Sequence, residues 1–216
     1  MGNETGTSGT ARNAVLGGPG EARVADVLHR YAHEFTVIKG GRDAELGRIN
    51  HYLIGAGLPA LRPALVDGTH RLVHKDTPIG SGTPAGWQAH LSERRNRRKR
   101  TYEVMRKIGA TLCSDVSTSR LRELATTMKA EGLSPSTVQK ELAVLKTAFN
   151  VAIREWQWDA SRNPAVGIAL GRSRSRFVRL TPEQENRLVD ALTECDNPQF
   201  WPMVELAQVS TMRRGS

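Results

Sequence analysis

Two adjacent arginines, Arg213 and Arg214, stand in the motif VSTMRRGS near the end of this 216-residue sequence. They follow a mainly apolar stretch, FWPMVELAQ, that predicts a helix. A planar guanidinium group donates two parallel hydrogen bonds to one phosphate, whereas a lysine ammonium acts as a point charge. Arg213 is therefore a candidate phosphate-binding residue, and the alternative interpretation is a surface residue at a ragged chain end.

The densest positive charge lies in the run RRNRRKR. Residues 92–107 contain eight basic and two acidic side chains. Like charges at this spacing repel one another unless counter-ions or phosphates neutralise them. The run predicts phosphate contacts, and the alternative is a nuclear-localisation patch or a solubilising surface. Its candidate DNA-binding residues are Arg94, Arg95, Arg97, Arg98, Lys99 and Arg100.

A third candidate site lies at the predicted start of a long helix, in the motif LSPSTVQK. Ser134 is suited to the N-cap position and Pro135 to the first helical position. Hydroxyl and amide groups at the positive end of a helix dipole, backed by lysines, suit phosphate contacts. The alternative is ordinary helix capping beside a solvated surface. The candidate DNA-binding residues here are Ser134, Ser136, Thr137, Gln139, Lys140 and Lys146.

The remaining side chains form no recognisable catalytic or metal motif. His29 and His33 have a spacing that can hold zinc, but no third ligand follows at a recognisable spacing. The sequence also lacks a phosphate-cradling P-loop, a Ser-His-Asp set and a paired-carboxylate motif. We therefore expect no metal site and no cofactor.

The overall charge favours a polyanionic partner. Lys and Arg number 31 against 22 Asp and Glu, which gives a formal net charge of +9. Such a balance points to nucleic acid before a membrane surface. Aromatic residues make up 5% of the chain, too few for an extended platform that stacks single-stranded bases. Two distant cysteines and the lack of an apolar signal-peptide core predict a cytoplasmic protein with no membrane partner.

The candidate residues belong to a sequence that predicts a mainly α fold. Residues 1–20 are rich in Gly, Thr and Ser and are predicted to be a disordered leader. Apolar residues then recur every three or four positions, which predicts helices over 21–35 and 42–57. Residues 57–86 are rich in chain breakers and predict a loop or a short hairpin around HRLVH. No strand is strongly signalled.

The clearest helical pattern begins at Val116. Segment 116–132 starts with Ser and Thr and ends at Gly132, and segment 133–158 carries one long apolar stripe. Farther on, Thr181 is placed to cap a helix that begins LTPEQENRLVDAL, with a glutamine three residues later. A basic linker at 171–180 separates these regions, and its candidate DNA-binding residues are Arg172, Arg174 and Arg176.

Three motifs, taken in order, resemble the tyrosine recombinase family of phage-type integrases: GLSPSTVQKELAVLKTAFNVAIREWQW followed by NP, LTPEQENRLVDAL, and VSTMRRGS. The segment RYAHEFTVIKGGRDAELGRI is similar to the start of the core-binding domain in bacterial integrases. The resemblance implies a SAM-like helical core-binding domain at 21–170, with a basic insertion at about 57–110. The first helices of a truncated α+β catalytic domain would then occupy 181–216. The implied partner is double-stranded DNA at a recombination core site, bound by a homo-oligomer of the full-length protein.

The resemblance also implies a role for Arg213. The family motif T-G-[M/L]-R-x-[G/S]-E carries the first catalytic arginine, and STMRRGS places that arginine at Arg213. Thr211 stands where the family has glycine, and Ser216 where it has glutamate. Tyrosine recombinases cut and rejoin DNA through a 3′-phosphotyrosine, and arginines stabilise the charge on the phosphate. The catalytic lysine, the His-x-x-Arg box and the nucleophilic tyrosine of the family follow this arginine, so the chain alone is expected to be inactive.

The composition of the chain also fits functions other than recombination. A non-catalytic DNA-binding regulator, an accessory factor or an integrase remnant fits the same composition, and an RNA-binding helical protein is a weaker option. Tyr31, Tyr52 and Tyr102 precede the arginine motif and are not candidate nucleophiles. Arg213 favours the recombinase, because a pure binding module has no reason to carry it after an apolar helix.

The resemblance also implies that the last helices expose apolar side chains. In the family these helices pack against parts of the catalytic domain that follow the arginine motif. Trp201, Val204 and Leu206 are therefore expected to be partly exposed, which would make segment 181–216 mobile or prone to aggregation.

Overall fold

The protein is mainly helical, as predicted, with one small sheet. The computed structural model describes residues 20–75, 85–158, 163–169, 171, 180–197 and 199–210. The chain forms two compact units, Met1–Ser173 and Arg174–Ser216. The first contains α1 (Val24–Tyr31), α2 (Arg42–Gly55), β1 (Leu61–Val66), β2 (Thr69–His74), α3 (Ala85–Arg97), α4 (Lys99–Ala110), α5 (Thr118–Ala130) and α6 (Pro135–Arg154). The second contains α7 (Pro182–Thr193) and α8 (Phe200–Ser210). None of the helices over these ranges is both long enough and apolar enough to cross a membrane.

The predicted first helix is confirmed, but its last turn is wider than an α-helical turn. Helix α1 buries Val24, Val27, Leu28 and Tyr31, a spacing of three and four residues that turns one face inward. A π-helical turn at Ala32–Thr36 continues it. The wider turn lets the chain keep its direction while the register of buried positions shifts.

Helices α2 and α4 cross closely at two glycines. A methyl group at Gly55 would overlap the backbone of Arg106, and one at Gly109 would overlap the backbone of Tyr52. Small residues at both points let the two backbones approach more closely than ordinary side chains allow. This contact fixes the angle at which the basic end of α4 lies against α2.

The predicted starts of α5 and α6 are both confirmed. The Ser117 hydroxyl accepts a hydrogen bond from the Arg120 N–H at 3.4 Å, and the Ser134 hydroxyl accepts one from the Thr137 N–H at 3.3 Å. Gly132, with φ of 77°, ends the first of these helices in the left-handed region that favours glycine. Of the predicted apolar stripe, Val138, Leu142, Leu145 and Phe149 are buried, while Ile153 and Trp156 are partly buried.

The hairpin alternative for residues 57–86 is the correct one. Strands β1 and β2 are antiparallel, with Leu61 opposite His74 and Val66 opposite Thr69. Asp67 and Gly68 form the turn with φ of 50° and 72°, as a two-residue hairpin requires. The hairpin is attached to α2 through Asn50, whose side chain donates to the Leu61 carbonyl at 2.9 Å and accepts from its N–H at 2.8 Å.

The last helix of the predicted basic insertion at about 57–110 forms part of the main core, and the insertion itself stays a prediction. Helix α4 buries Thr101, Met105 and Ile108 against the neighbouring helices. The sequence pattern did not predict this role. The apolar residues of α4 alternate in the sequence with basic residues, although the two kinds lie on opposite faces of the helix. Removing α4 would open the core, whereas removing an appended insertion would not.

The second unit contributes two helices, α7 and α8, over the described residues. The predicted capping box is confirmed: the Thr181 N–H donates to Gln184 Oε1 at 3.0 Å, and the Thr181 hydroxyl accepts from the Gln184 N–H at 3.4 Å. Helix α7 contains no buried residue. On α8, Trp201 is 42% exposed and Leu206 is 61% exposed, and Val204 is partly exposed. The predicted exposure is confirmed, while the predicted mobility remains a prediction.

Candidate nucleic-acid interface

Three surface cavities lie where α2, α3, α4 and the start of α6 meet, and they share lining residues. We call the three together the basic groove. The α3 cavity, of about 740 Å³, is lined by residues that include Arg94, Arg95, Lys99, Tyr102, Glu103 and Arg106. The inner cavity, of about 380 Å³, is lined by residues that include Arg48, Arg94, Arg98, Thr137, Lys140 and Glu141. The outer cavity, of about 390 Å³, is lined by residues that include Arg94, Arg97, Arg98, Glu131, Ser134 and Thr137.

The groove brings together two predicted sites that are far apart in sequence. Arg94 and Arg98 from the basic run line the same inner cavity as Thr137 and Lys140 from the start of α6. Ser134 lines the outer cavity beside Arg97. These contacts depend on how α3 and α4 are oriented: the basic run is not one straight helix, because Arg98 separates the two.

The carboxylate of Glu131 positions the start of α4. It accepts hydrogen bonds from the backbone N–H of Arg100 at 2.9 Å and of Thr101 at 3.1 Å. These N–H groups have no partner within the helix, so an acidic side chain beside them is stabilising. Glu131 thereby joins the end of α5 to the charged run and holds the arginines around Arg98 at the mouth of the groove.

Helix capping accounts for part of the predicted site at α6. The Ser134 hydroxyl lies 2.9 Å from the Thr137 hydroxyl and 3.1 Å from the Ser136 hydroxyl, in addition to its backbone bond. Ser134 is therefore the N-cap, the alternative that its sequence context left open. Gln139 donates to the carbonyl of Gly171 at 3.1 Å. The predicted residues that line none of the three cavities are Arg100, Ser136, Gln139 and Lys146.

Four predicted site residues lie outside the part of the chain that the structure describes. Arg172, Arg174 and Arg176 belong to the linker, and Arg213 belongs to the arginine motif. The predicted leader is also outside the described residues, apart from Gly20. Their roles stay predictions from the sequence.

Sequence reasoning missed the groove residues contributed by α2. Arg48 Nε donates to Glu141 Oε1 at 3.2 Å, joining α2 to α6 across 93 positions of the chain. The side chain of Glu141 is only 10% exposed, and its other oxygen, Oε2, has no hydrogen-bond partner among the described residues. Each residue looks like an ordinary surface charge in its own helix, so only the packing reveals the pair.

Burial and the surrounding cations set the protonation of the groove floor. Burial raises the pKa of the Glu141 carboxyl above its ordinary value, and Arg48 and Arg98 oppose that rise. The pKa of His51 is lowered to about 4, first by burial and then by the nearby Arg106 and Arg98. His51 is therefore neutral at pH 7, and its ring stacks on Tyr102 with 3.9 Å between ring centroids. The floor of the groove is thus partly aromatic while its walls are cationic.

The two histidines considered for zinc lie close together, with 4.7 Å between the ring centroids of His29 and His33. Their pKa values are both lowered, first by burial, which reduces the charge that two neighbouring imidazoles would otherwise share. Over the described residues, no cluster of three or more His, Cys, Asp and Glu side chains is arranged to hold a metal ion.

Comparisons with known proteins add no assignment for this site. No protein-family model, curated protein or solved structure matches the chain.

Proposed function

We propose that this chain binds double-stranded DNA through the basic groove. The observation that carries the proposal is that Arg94 of α3, Arg98 before α4 and Thr137 of α6 line both the inner and the outer cavity. Eight basic side chains line the three cavities, against three acidic ones. A concave surface with that excess concentrates positive potential where a phosphate backbone can lie.

The acidic residues of the groove leave a net excess of five positive charges, since eight basic side chains stand against three acidic ones. Glu131 is occupied by the backbone of α4, and Glu141 by Arg48. Guanidinium groups that keep free donors can form bidentate bonds to phosphate oxygens. Phosphate neutralisation also accounts for the run of like charges around Arg98, which would otherwise be destabilising.

We further propose, from the resemblance of the motifs, that the first unit is a SAM-like core-binding domain of a tyrosine recombinase. The second unit would be the opening part of the α+β catalytic domain. In the full-length protein Arg213 would stabilise the phosphate during attack by a tyrosine, with the protein acting in the cytoplasm as a homo-oligomer on DNA. The helical fold and the capped helix starts of α6 and α7 support this assignment.

The alternative is a non-catalytic DNA-binding protein, either a regulator or an accessory factor. The basic groove supports it equally, because phosphate contacts there require no catalytic residue. Both proposals require the same DNA binding, so the test of that binding comes first.

The test is a titration of a labelled 30-base-pair duplex with the full chain at several salt concentrations. Each phosphate contact is expected to contribute about 0.9 to the slope of log affinity against log salt. Substitution of Arg94, Arg97 and Arg98 by alanine is expected to reduce the slope by up to about 2.7. The proposal would be contradicted if the chain did not bind the duplex at low salt, or if its affinity did not fall as the salt concentration rises.

A matched control separates the groove from net charge. Arg122, Lys129 and Arg154 are exposed and line none of the three cavities. Their substitution by alanine removes the same three charges, and it is expected to leave the salt slope close to that of the wild type. Equal losses from the two triple variants would mean that the groove has no special role.

A further inference from the structure

The hairpin of β1 and β2 presents a second basic surface, outside the groove. We call it the outer hairpin face, defined by Arg62, Ala64, Val66, Thr69, Arg71 and Val73. The register places Arg62 opposite Val73 and Ala64 opposite Arg71, so all six side chains lie on one side of the sheet. The other side carries Leu61 and Leu72, which are buried in the core.

The two arginines of this face are not neutralised by any residue that the structure describes. Arg62 and Arg71 are exposed, and neither has an ion-pair or hydrogen-bond partner among the described residues. They are diagonal neighbours in the sheet, which places their Cβ atoms within about 8 Å of each other. Asp67 is the acidic residue of the hairpin, at its turn, and Asp76 follows Lys75 outside the described residues.

Core packing does not require the two arginines of the outer hairpin face. The hairpin is held by its inner face and by the Asn50 bridge to Leu61. The outer positions could therefore be neutral without loss of contacts. Two adjacent unneutralised arginines instead suit an anionic partner with charges at a regular spacing.

The dimensions of the hairpin match those of a DNA groove. Each strand has six residues and spans about 20 Å. Because base pairs rise by about 3.4 Å, this length corresponds to about six base pairs. The major groove is about 12 Å wide and admits a two-stranded ribbon.

We propose that the outer hairpin face is a second DNA contact, in which the ribbon lies along the major groove and Arg62 and Arg71 bind the duplex. This inference rests on the proposed function, since it assumes that the chain binds DNA. It adds a separate surface, because neither arginine lines the basic groove.

The experiment measures the salt slope for a labelled 30-base-pair duplex with the full-chain variant Arg62→Ala/Arg71→Ala. The slope is expected to fall by about two, the loss of two charge contacts. The variant Arg62→Lys/Arg71→Lys keeps both charges and is expected to recover most of that slope. The variant Arg122→Ala/Lys129→Ala removes two charges elsewhere and is expected to leave the slope unchanged.

A second measurement keeps the test independent of folding defects. Thermal unfolding of each variant is compared with the wild type, and Arg62→Gln/Arg71→Gln replaces the alanine variant if that variant unfolds early. An unchanged slope in a folded hairpin variant, with the groove variant weakened, would overturn this inference alone. Equal losses in the hairpin and control variants would overturn it as well. Failure of the wild type to bind any duplex would overturn it together with the proposed function.

Discussion

His51 shows how burial, and then the charges of the groove, act on a single side chain. Its pKa in the folded protein is about 4, against 6.5 for an ordinary histidine. As pH falls below 6.5, the imidazole of His51 becomes protonated in the unfolded chain. In the folded chain it stays neutral until pH approaches 4. The stability that His51 contributes is therefore fully present above pH 6.5 and is lost as pH falls through 4.

The substitution His51→Phe tests this linkage. Phenylalanine keeps an aromatic ring against Tyr102 but cannot take up the proton. Between pH 7.5 and 4.5 the free energy of unfolding of the variant is expected to fall by about 2–3 kcal/mol less than that of the wild type. Urea unfolding at the two pH values measures the difference. The same fall in both proteins would show that His51 does not titrate as its surroundings require.

Glu141 is linked to pH in the opposite direction from His51. Burial raises its pKa in the folded protein, so the stability linked to its proton is present at low pH and is lost as pH rises through the raised value. The bond from Arg48 at 3.2 Å offsets part of this cost. This ion pair holds Arg48 at the wall of the inner cavity, which Arg98 also lines.

At the scale of elements, the crossing of α2 and α4 determines the position of the groove. Substitution of Gly55 or Gly109 by alanine would force the two backbones apart, since the added methyl group overlaps backbone atoms that cannot rotate away. Each variant is expected to lower the free energy of unfolding by about 2–3 kcal/mol. Chemical denaturation of the purified variants measures this loss.

Gly47→Ala is the matched control for the two crossing glycines. Gly47 lies on α2, as Gly55 does, but a methyl group at Gly47 would meet no atom within 4 Å. Because alanine favours the helix more than glycine does, this variant is expected to gain up to about 1 kcal/mol. A loss at Gly47 as large as that at Gly55 would mean that the close crossing is not the cause.

The sequence predicted local structure better than it predicted the site. Ser134 and Thr181 were placed correctly as caps, because capping is decided by residues three positions apart. Thr137 and Lys140 were predicted to bind DNA from their place on α6, without knowledge of what faces them. Arg48 and Glu141 were missed because their role depends on the approach of helices that are 93 positions apart.

The role of α4 was misjudged for a related physical reason. Basic residues dominate the composition of α4. The three buried side chains that attach this helix to the core lie between those basic residues in the sequence. A helix that is charged on one face and apolar on the other has a low mean hydropathy, even when it is essential to the core. The hairpin was predicted only as an alternative, since its turn residues Asp67 and Gly68 were read as part of a general loop.

At the scale of the whole molecule, the buried core belongs to the first unit alone. Every residue of the buried cluster over the described ranges lies between Val24 and Ala165. Helix α7 buries none of its side chains, and on α8 Trp201 and Leu206 remain largely accessible. Burial of apolar surface is the main source of stability, so the two units should differ greatly in their resistance to unfolding.

This contrast predicts the outcome of removing the second unit. A chain that ends at Ser173 is expected to unfold cooperatively at the same temperature as the full chain, within about 2 °C, because no residue of the buried cluster is lost. In the full chain, backbone amides of α7 and α8 are expected to exchange with solvent much faster than those of α4 and α6. Calorimetry of both chains and hydrogen exchange of the full chain give these values. A large drop in the unfolding temperature of the shortened chain, or strong protection throughout 181–210, would show that the last helices stabilise the fold.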